Sequence, residues 1–177
     1  MHLDGARLWN AIVARGIQND SEALKKYASN FDSISLCLSK GMGCPVGSVL
    51  IGSEEFVAKA HRSRKVFGGG MRQAGMIAAA GIYALDNNLD RLTEDHLHAK
   101  MLCDAALENK SVASVAKVET NICILELNLG IDSAELVKEW GNLGIECFPF
   151  SPSSIRFVTH LDLSRTQVEM ACSLLTQ

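Results

Sequence analysis

The chain has 177 residues, of which 47% are hydrophobic and 21% are charged, and its formal net charge is −3. This composition is typical of a globular protein with enough apolar residues for a sizeable core. No basic block or aromatic-basic pattern points to a nucleic-acid-binding protein, and no apolar run approaches the roughly 18 residues that are needed to span a membrane.

The first part of the chain is predicted to combine short strands with amphipathic helices. Period-two alternation of apolar and polar residues predicts strands, which lie at 1–5, 33–39 and 46–51. Helical periodicity, N-cap residues and terminal glycines predict helices, which lie at 6–14, 22–29, 53–65, 73–87 and 91–109. The six residues between the second and third strands favour a hairpin or two neighbouring strands.

The composition changes near residue 109, and the elements beyond it are shorter. Strands are predicted at 114–119, 122–127, 146–150 and 154–159, and helices at 133–143 and 164–175. Ser133 is the predicted N-cap of the first of these two helices. Helices that alternate with short strands in this way predict a small α+β domain. We therefore place the domain boundary in the long helix, with one domain at 1–95 and the other at 96–177.

Lys40 is the most unusual residue of the first part, because it leaves the end of an apolar strand and is followed by glycines at 41 and 43. A lysine at a strand end most often reaches solvent without a further role. The alternative is an ammonium group that is partly desolvated, which favours the neutral, nucleophilic amine. Such a lysine binds aldehydes as a Schiff base, and pyridoxal phosphate (PLP) is the commonest of them.

Four further side chains are candidates for an anion or cofactor site. Asp4 ends the first strand, where a turn or cap role is the commoner one, and Arg7 follows it where a helix-face ion pair would suffice. Arg156 interrupts an apolar strand, in which a guanidinium group favours a nearby anion such as a carboxylate. Arg72 follows a glycine triplet and could reach a phosphate or a neighbouring active site.

Six cysteines are spread along the chain, and each lies singly inside an apolar segment, at positions 37, 44, 103, 123, 147 and 172. There is no CxxC pair and no Cys/His spacing of the kind that binds zinc, so no metal site is predicted. No signal-peptide pattern is present near the first residue. These features predict reduced core thiols in a cytoplasmic protein.

Four motifs occur in a definite order along the chain: HLDGAR at 2–7, SKGMGCPVGS at 39–48, RKVFGGGMRQAG at 64–75 and RFVTH at 156–160. Together they resemble the threonine aldolases, PLP enzymes of the β-eliminating lyase group. The resemblance implies an α/β fold, the C-terminal part of the large domain of a PLP-dependent transferase (fold type I). The implied domain at 1–95 is thus a partial PLP-binding domain, followed by the small α+β domain.

The resemblance also implies roles for the candidate residues. Lys40 would bind PLP covalently, Asp4 would pair with its pyridine nitrogen, and Arg72 would lie near the cofactor. Arg7 and Arg156 would bind the carboxylate of the substrate. The implied reaction is retro-aldol cleavage of threonine or allo-threonine to glycine and acetaldehyde, in a homodimer or homotetramer with shared active sites.

Chains of that family are longer, and this sequence corresponds to their C-terminal half. We therefore expect a truncated chain, without the histidine that stacks on the PLP ring and the loop that holds much of its phosphate. Two alternatives remain open. The chain could be a non-catalytic half that only folds or dimerises, or it could be part of another PLP enzyme, such as a serine hydroxymethyltransferase-like or tryptophanase-like one.

Overall fold

A computed structural model describes residues 1–176, which divide into two compact units, one at 1–91 and one from residue 92 onward. In the first unit the elements are β1 (His2–Gly5), α1 (Leu8–Ala14), α2 (Ser21–Ala28), β2 (Ser33–Cys37), β3 (Ser48–Gly52), α3 (Glu54–Val66) and α4 (Gly75–Asn87). In the second they are α5 (Leu92–Ala106), β4 (Val112–Val115), β5 (Ile122–Leu127), α6 (Ser133–Asn142), β6 (Phe148–Ser151), β7 (Ser154–Val158) and α7 (Arg165–Leu175). Every predicted helix and strand is present, with ends shifted by a few residues. No helix within 1–176 has the length and apolar character to span a membrane.

The sheet of the first unit has the order β1-β2-β3. β1 runs parallel to β2, with Asp4 opposite Ser35, and β2 runs antiparallel to β3, which confirms the two as neighbouring strands. The backbones of β1 and β2 approach closely at Gly5, where a Cβ atom would stand 2.6 Å from the carbonyl oxygen of Ser35. Because β1 and β2 are parallel, their carboxyl ends meet at the same edge of the sheet.

Helix α4 contacts the loop that follows β2 through small residues. Gly81 and Ala84 are its buried residues, and a Cβ atom at Gly81 would lie 3.3 Å from the side chain of Leu38. The helix therefore comes close to the segment that carries Lys40.

The second unit is built on an antiparallel sheet of order β4-β5-β7-β6, with α5, α6 and α7 contributing to its core. Trp140 of α6 and Phe157 of β7 stack in that core, with their ring centroids 5.9 Å apart. Helix α7 begins with a capping box, in which Ser164 and Gln167 satisfy each other's backbone N–H groups. This unit holds one of the predicted site residues, Arg156 in β7.

The predicted cap of α6 is wrong. Asp132 is the N-cap, and its carboxylate accepts hydrogen bonds from the backbone N–H groups of Ala134 and Glu135. Ser133 is buried, and its hydroxyl donates to the carbonyl oxygen of Ser151 at 2.6 Å. Both residue types are good caps, and the bend of the backbone decides which side chain reaches the exposed N–H groups.

The prediction of six reduced thiols is also wrong. Cys103 of α5 and Cys123 of β5 form a disulfide, with their Cα atoms 5.9 Å apart, and both are fully buried. The other four cysteines, at 37, 44, 147 and 172, are free. The pairing arises because α5 packs on β5, a tertiary contact that the separate positions of the two cysteines do not reveal.

Candidate active site

The carboxyl edge of β1 and β2 carries three of the predicted site residues: Asp4, Arg7 and Lys40. Asp4 lies within β1, exposed, and its Oδ1 accepts a hydrogen bond of 3.1 Å from the N–H of Ala6. This bond fixes the carboxylate at the point where the chain leaves the strand. Arg7 follows as the N-cap residue of α1, half-buried, and its side chain makes no capping hydrogen bond.

Lys40 opens a tight turn beyond β2. The N–H of Gly43 donates to the carbonyl oxygen of Lys40 at 2.8 Å, and the N–H of Cys44 donates to that of Leu38 at 3.0 Å. Gly43 has φ = 72°, in the left-handed region that favours glycine. Met42 anchors the turn, because its side chain is completely buried.

The lysine side chain itself is exposed. It thus follows the commoner of the two stated alternatives, a strand-end lysine that reaches solvent, and not the partly desolvated one. The reason is that burial at a strand end depends on what covers the sheet edge, and within 1–176 nothing covers this lysine.

A second group, of basic residues, lines an open cleft of about 550 Å³ around the glycine-rich loop after α3. His61, Arg64 and Lys65 come from α3, and Arg72 comes from the loop. Asp4, Arg7 and Lys40 are not among its lining residues. Cationic side chains in a concave surface attract anions such as phosphate. The sequence analysis singled out Arg72, and the spacing of 61, 64 and 65 on one helix face is the sequence signal for the basic residues that accompany it.

Arg156 lies in the second unit, on β7, opposite Ile124 of β5 and Phe148 of β6. It is half-buried, and its Cζ atom stands 5.5 Å from the centroid of the Phe150 ring. Its Nε atom is buried and has no hydrogen-bond partner within the described residues. A buried guanidinium N–H without a partner is costly, and a bound carboxylate would satisfy it.

The fold is that of part of a PLP-dependent enzyme of fold type I, as similar solved structures show. One, from Listeria monocytogenes and provisionally assigned to the L-allo-threonine aldolases, is 21% identical with a TM-score of 0.75, over 99% of this chain and 51% of that chain. An ornithine aminotransferase from Toxoplasma gondii is 16% identical with a TM-score of 0.59, over 82% of this chain and 36% of that one. The predicted fold class is confirmed.

The family is shown by the sequence itself. The family model for beta-eliminating lyases matches residues 1–129, and the chain belongs to that family. Among curated relatives, the low specificity L-threonine aldolase of Escherichia coli is 44% identical over 95% of this chain and 47% of its own length. The low-specificity L-threonine aldolase of Candida albicans is 42% identical over 96% of this chain and 43% of its own length. The chain thus spans about half the length of these relatives.

Proposed function

We propose that this chain supplies the C-terminal half of the active site of a PLP-dependent threonine aldolase. The reaction would be retro-aldol cleavage of threonine or allo-threonine to glycine and acetaldehyde. One observation carries the proposal: Lys40 lies at the same sheet edge as the carboxylate of Asp4, on a turn that is closed by the N–H of Gly43. The names of the relatives support the choice of substrate.

The residues at this edge fit PLP by their chemistry. Lys40 offers an exposed primary amine, the group that binds an aldehyde covalently. Asp4 offers a carboxylate whose orientation is set through Oδ1, suited to holding a proton on a pyridine nitrogen. Arg72, in the cleft around the glycine-rich loop after α3, is suited to an anionic group such as the phosphate. When bound, PLP supplies an electron sink for the pair released from the broken Cα–Cβ bond.

Arg156 and Arg7 would hold the substrate carboxylate. The orphaned Nε of Arg156 and its planar group fit the two carboxylate oxygens. Anchoring the carboxylate fixes the rotation of the substrate about its Cα atom. That rotation decides which Cα bond stands perpendicular to the cofactor ring, and hence which bond breaks.

The enzyme would work as a homodimer or homotetramer. Support comes from α4, whose apolar side chains Met76, Ile82 and Tyr83 are 84%, 62% and 63% exposed and call for a protein partner. We also propose a cytoplasmic location. The four free cysteines are compatible with a reducing compartment, and the Cys103–Cys123 disulfide is buried away from reductants.

A second candidate function is a non-catalytic half that only folds or associates. Two observations favour it: Lys40 is exposed, and so are Val49, Leu50 and Ile51 of β3, at 42%, 38% and 45%. Alternate residues of a strand point to opposite faces, so both faces of β3 are only partly covered within 1–176.

An activity assay separates these functions. The chain is incubated with PLP and threonine, allo-threonine or tryptophan, alone and with the separately produced N-terminal half of the Escherichia coli relative. We expect glycine and acetaldehyde from the two threonine isomers, no indole from tryptophan, and no product with Lys40→Ala. Indole would instead indicate a tryptophanase-like enzyme. Absence of every product in both mixtures would favour the non-catalytic half.

A further inference from the structure

We infer that Asn88 is a positioning residue for Lys40, an inference that rests on the proposed role of that lysine. Asn88 is the C-cap residue of α4. Its Nδ2 atom donates a hydrogen bond of 2.8 Å to the carbonyl oxygen of Met42, 46 residues earlier in the chain. Met42 is the third residue of the turn that Lys40 opens, so the amide of Asn88 holds the same peptide group whose N–H, that of Gly43, closes the turn.

The rest of α4 brings Asn88 to this place. A Cβ atom at Gly47 would lie 3.5 Å from Ile77, and the thiol of Cys44 donates to the carbonyl oxygen of Ala80 at 3.5 Å. These contacts are apolar or weak. The amide of Asn88 makes the short, directional hydrogen bond from the helix to the turn.

The bond acts on Lys40 through the backbone. Holding the carbonyl of Met42 fixes the plane of the Met42–Gly43 peptide, whose N–H donates to the carbonyl oxygen of Lys40 at 2.8 Å. Loss of the Asn88 amide would free that plane and widen the range of directions open to the lysine amine. A capping role does not account for this bond, because the N–H of Asn88 already caps α4 by donating to Ala84 at 2.8 Å.

A matched pair of variants isolates the effect. In Asn88→Asp, a carboxylate of the same shape cannot donate to Met42. Asn87→Asp is the control, because Asn87 is exposed and its amide donates to Tyr83 within its own helix. Amide hydrogen exchange is measured without cofactor on peptides that cover 38–47. We expect the protection of this segment to fall about fivefold to tenfold in Asn88→Asp alone, with the other peptides unchanged.

A second readout concerns cofactor binding. PLP bound to Lys40 should give a visible absorption band, which can be titrated with PLP. The PLP concentration that half-saturates this band should rise about fivefold to tenfold in Asn88→Asp and stay constant in Asn87→Asp. If Asn88→Asp does not fold, Asn88→Ala takes its place in both measurements.

The outcomes separate the inference from the proposed function. Unchanged exchange at 38–47, or an equal rise in every peptide, would overturn the positioning role. Faster exchange confined to 38–47, without any change in the half-saturating PLP concentration, would overturn the positioning role as well. Faster exchange confined to 38–47, together with no Lys40-dependent absorption band even in the unmodified chain, would have a different meaning. It would support the hydrogen bond by which Asn88 fixes the turn, and it would contradict the proposed function.

Discussion

Arg156 has a buried Nε without a hydrogen-bond partner in the described part of the chain, which a bound carboxylate would satisfy. We predict that Arg156→Lys raises the half-saturating threonine concentration at least about tenfold, since an ammonium group cannot reproduce the planar fork. PLP binding should stay unchanged, which steady-state kinetics and a cofactor titration together would show. An unchanged half-saturating threonine concentration would show that Arg156 does not bind the substrate.

Gly5 is required by the close approach of β1 to β2. In Gly5→Ala, the new Cβ atom would meet the carbonyl oxygen of Ser35 at 2.6 Å. We expect the free energy of unfolding to fall by about 1–3 kcal/mol, as for other overpacked sites, measured by denaturant titration. Gly75→Ala is the control, because no atom lies within 4 Å of a Cβ atom there. Equal stability of the two variants would contradict the close contact.

Cys147 links stability to alkaline pH. Burial raises the pKa of its thiol from the ordinary value of 9.0 to about 12. Between these values the unfolded chain releases the thiol proton while the folded chain keeps it. The contribution of the Cys147 thiol to the unfolding free energy is therefore fully present below pH 9 and is lost as pH rises towards 12. We expect the unfolding free energy of Cys147→Ala to fall less than that of the unmodified chain between about pH 8 and about pH 10. Parallel pH profiles would contradict the raised pKa.

At the scale of elements, local patterns predicted the helices and strands, because periodicity and caps are written into neighbouring residues. The N-cap of α6 was missed since Asp132 and Ser133 both suit a cap, and the path of the backbone makes the choice. The pairing of Cys103 with Cys123 was missed for a different reason. It depends on the packing of α5 against β5, which no local pattern encodes.

The link between α5 and β5 should stabilise the second unit. The disulfide joins cysteines 20 residues apart in sequence. Closing a loop of that length stabilises the folded state by about 3 kcal/mol in the chain-entropy model. We predict that the double variant Cys103→Ala, Cys123→Ala loses about 2–4 kcal/mol of unfolding free energy, while Cys172→Ala changes little.

A thiol count checks the disulfide directly. The denatured, unreduced chain should react at four of its six cysteines. Reaction at all six would show that the disulfide is absent and would restore the prediction of reduced thiols.

At the scale of the whole molecule, the four motifs predicted the family and the fold, because they are spread over nearly the whole chain and occur in one order. The sequence left both an exposed and a partly desolvated Lys40 open, since solvent access at a sheet edge depends on everything that packs there. The grouping of Arg72 with the basic residues of α3 depends on how the glycine-rich loop folds back on the helix, which the basic residues of the helix do not by themselves determine.

The central claim is that Lys40 is the residue that binds PLP. The most direct measurement is the visible absorption spectrum of the purified chain with added PLP, compared with Lys40→Ala and with the control Lys26→Ala, an exposed lysine of α2. The account predicts a yellow band in the unmodified chain and in Lys26→Ala that is lost in Lys40→Ala. A chain that stays colourless, or a band that survives in Lys40→Ala, would contradict it.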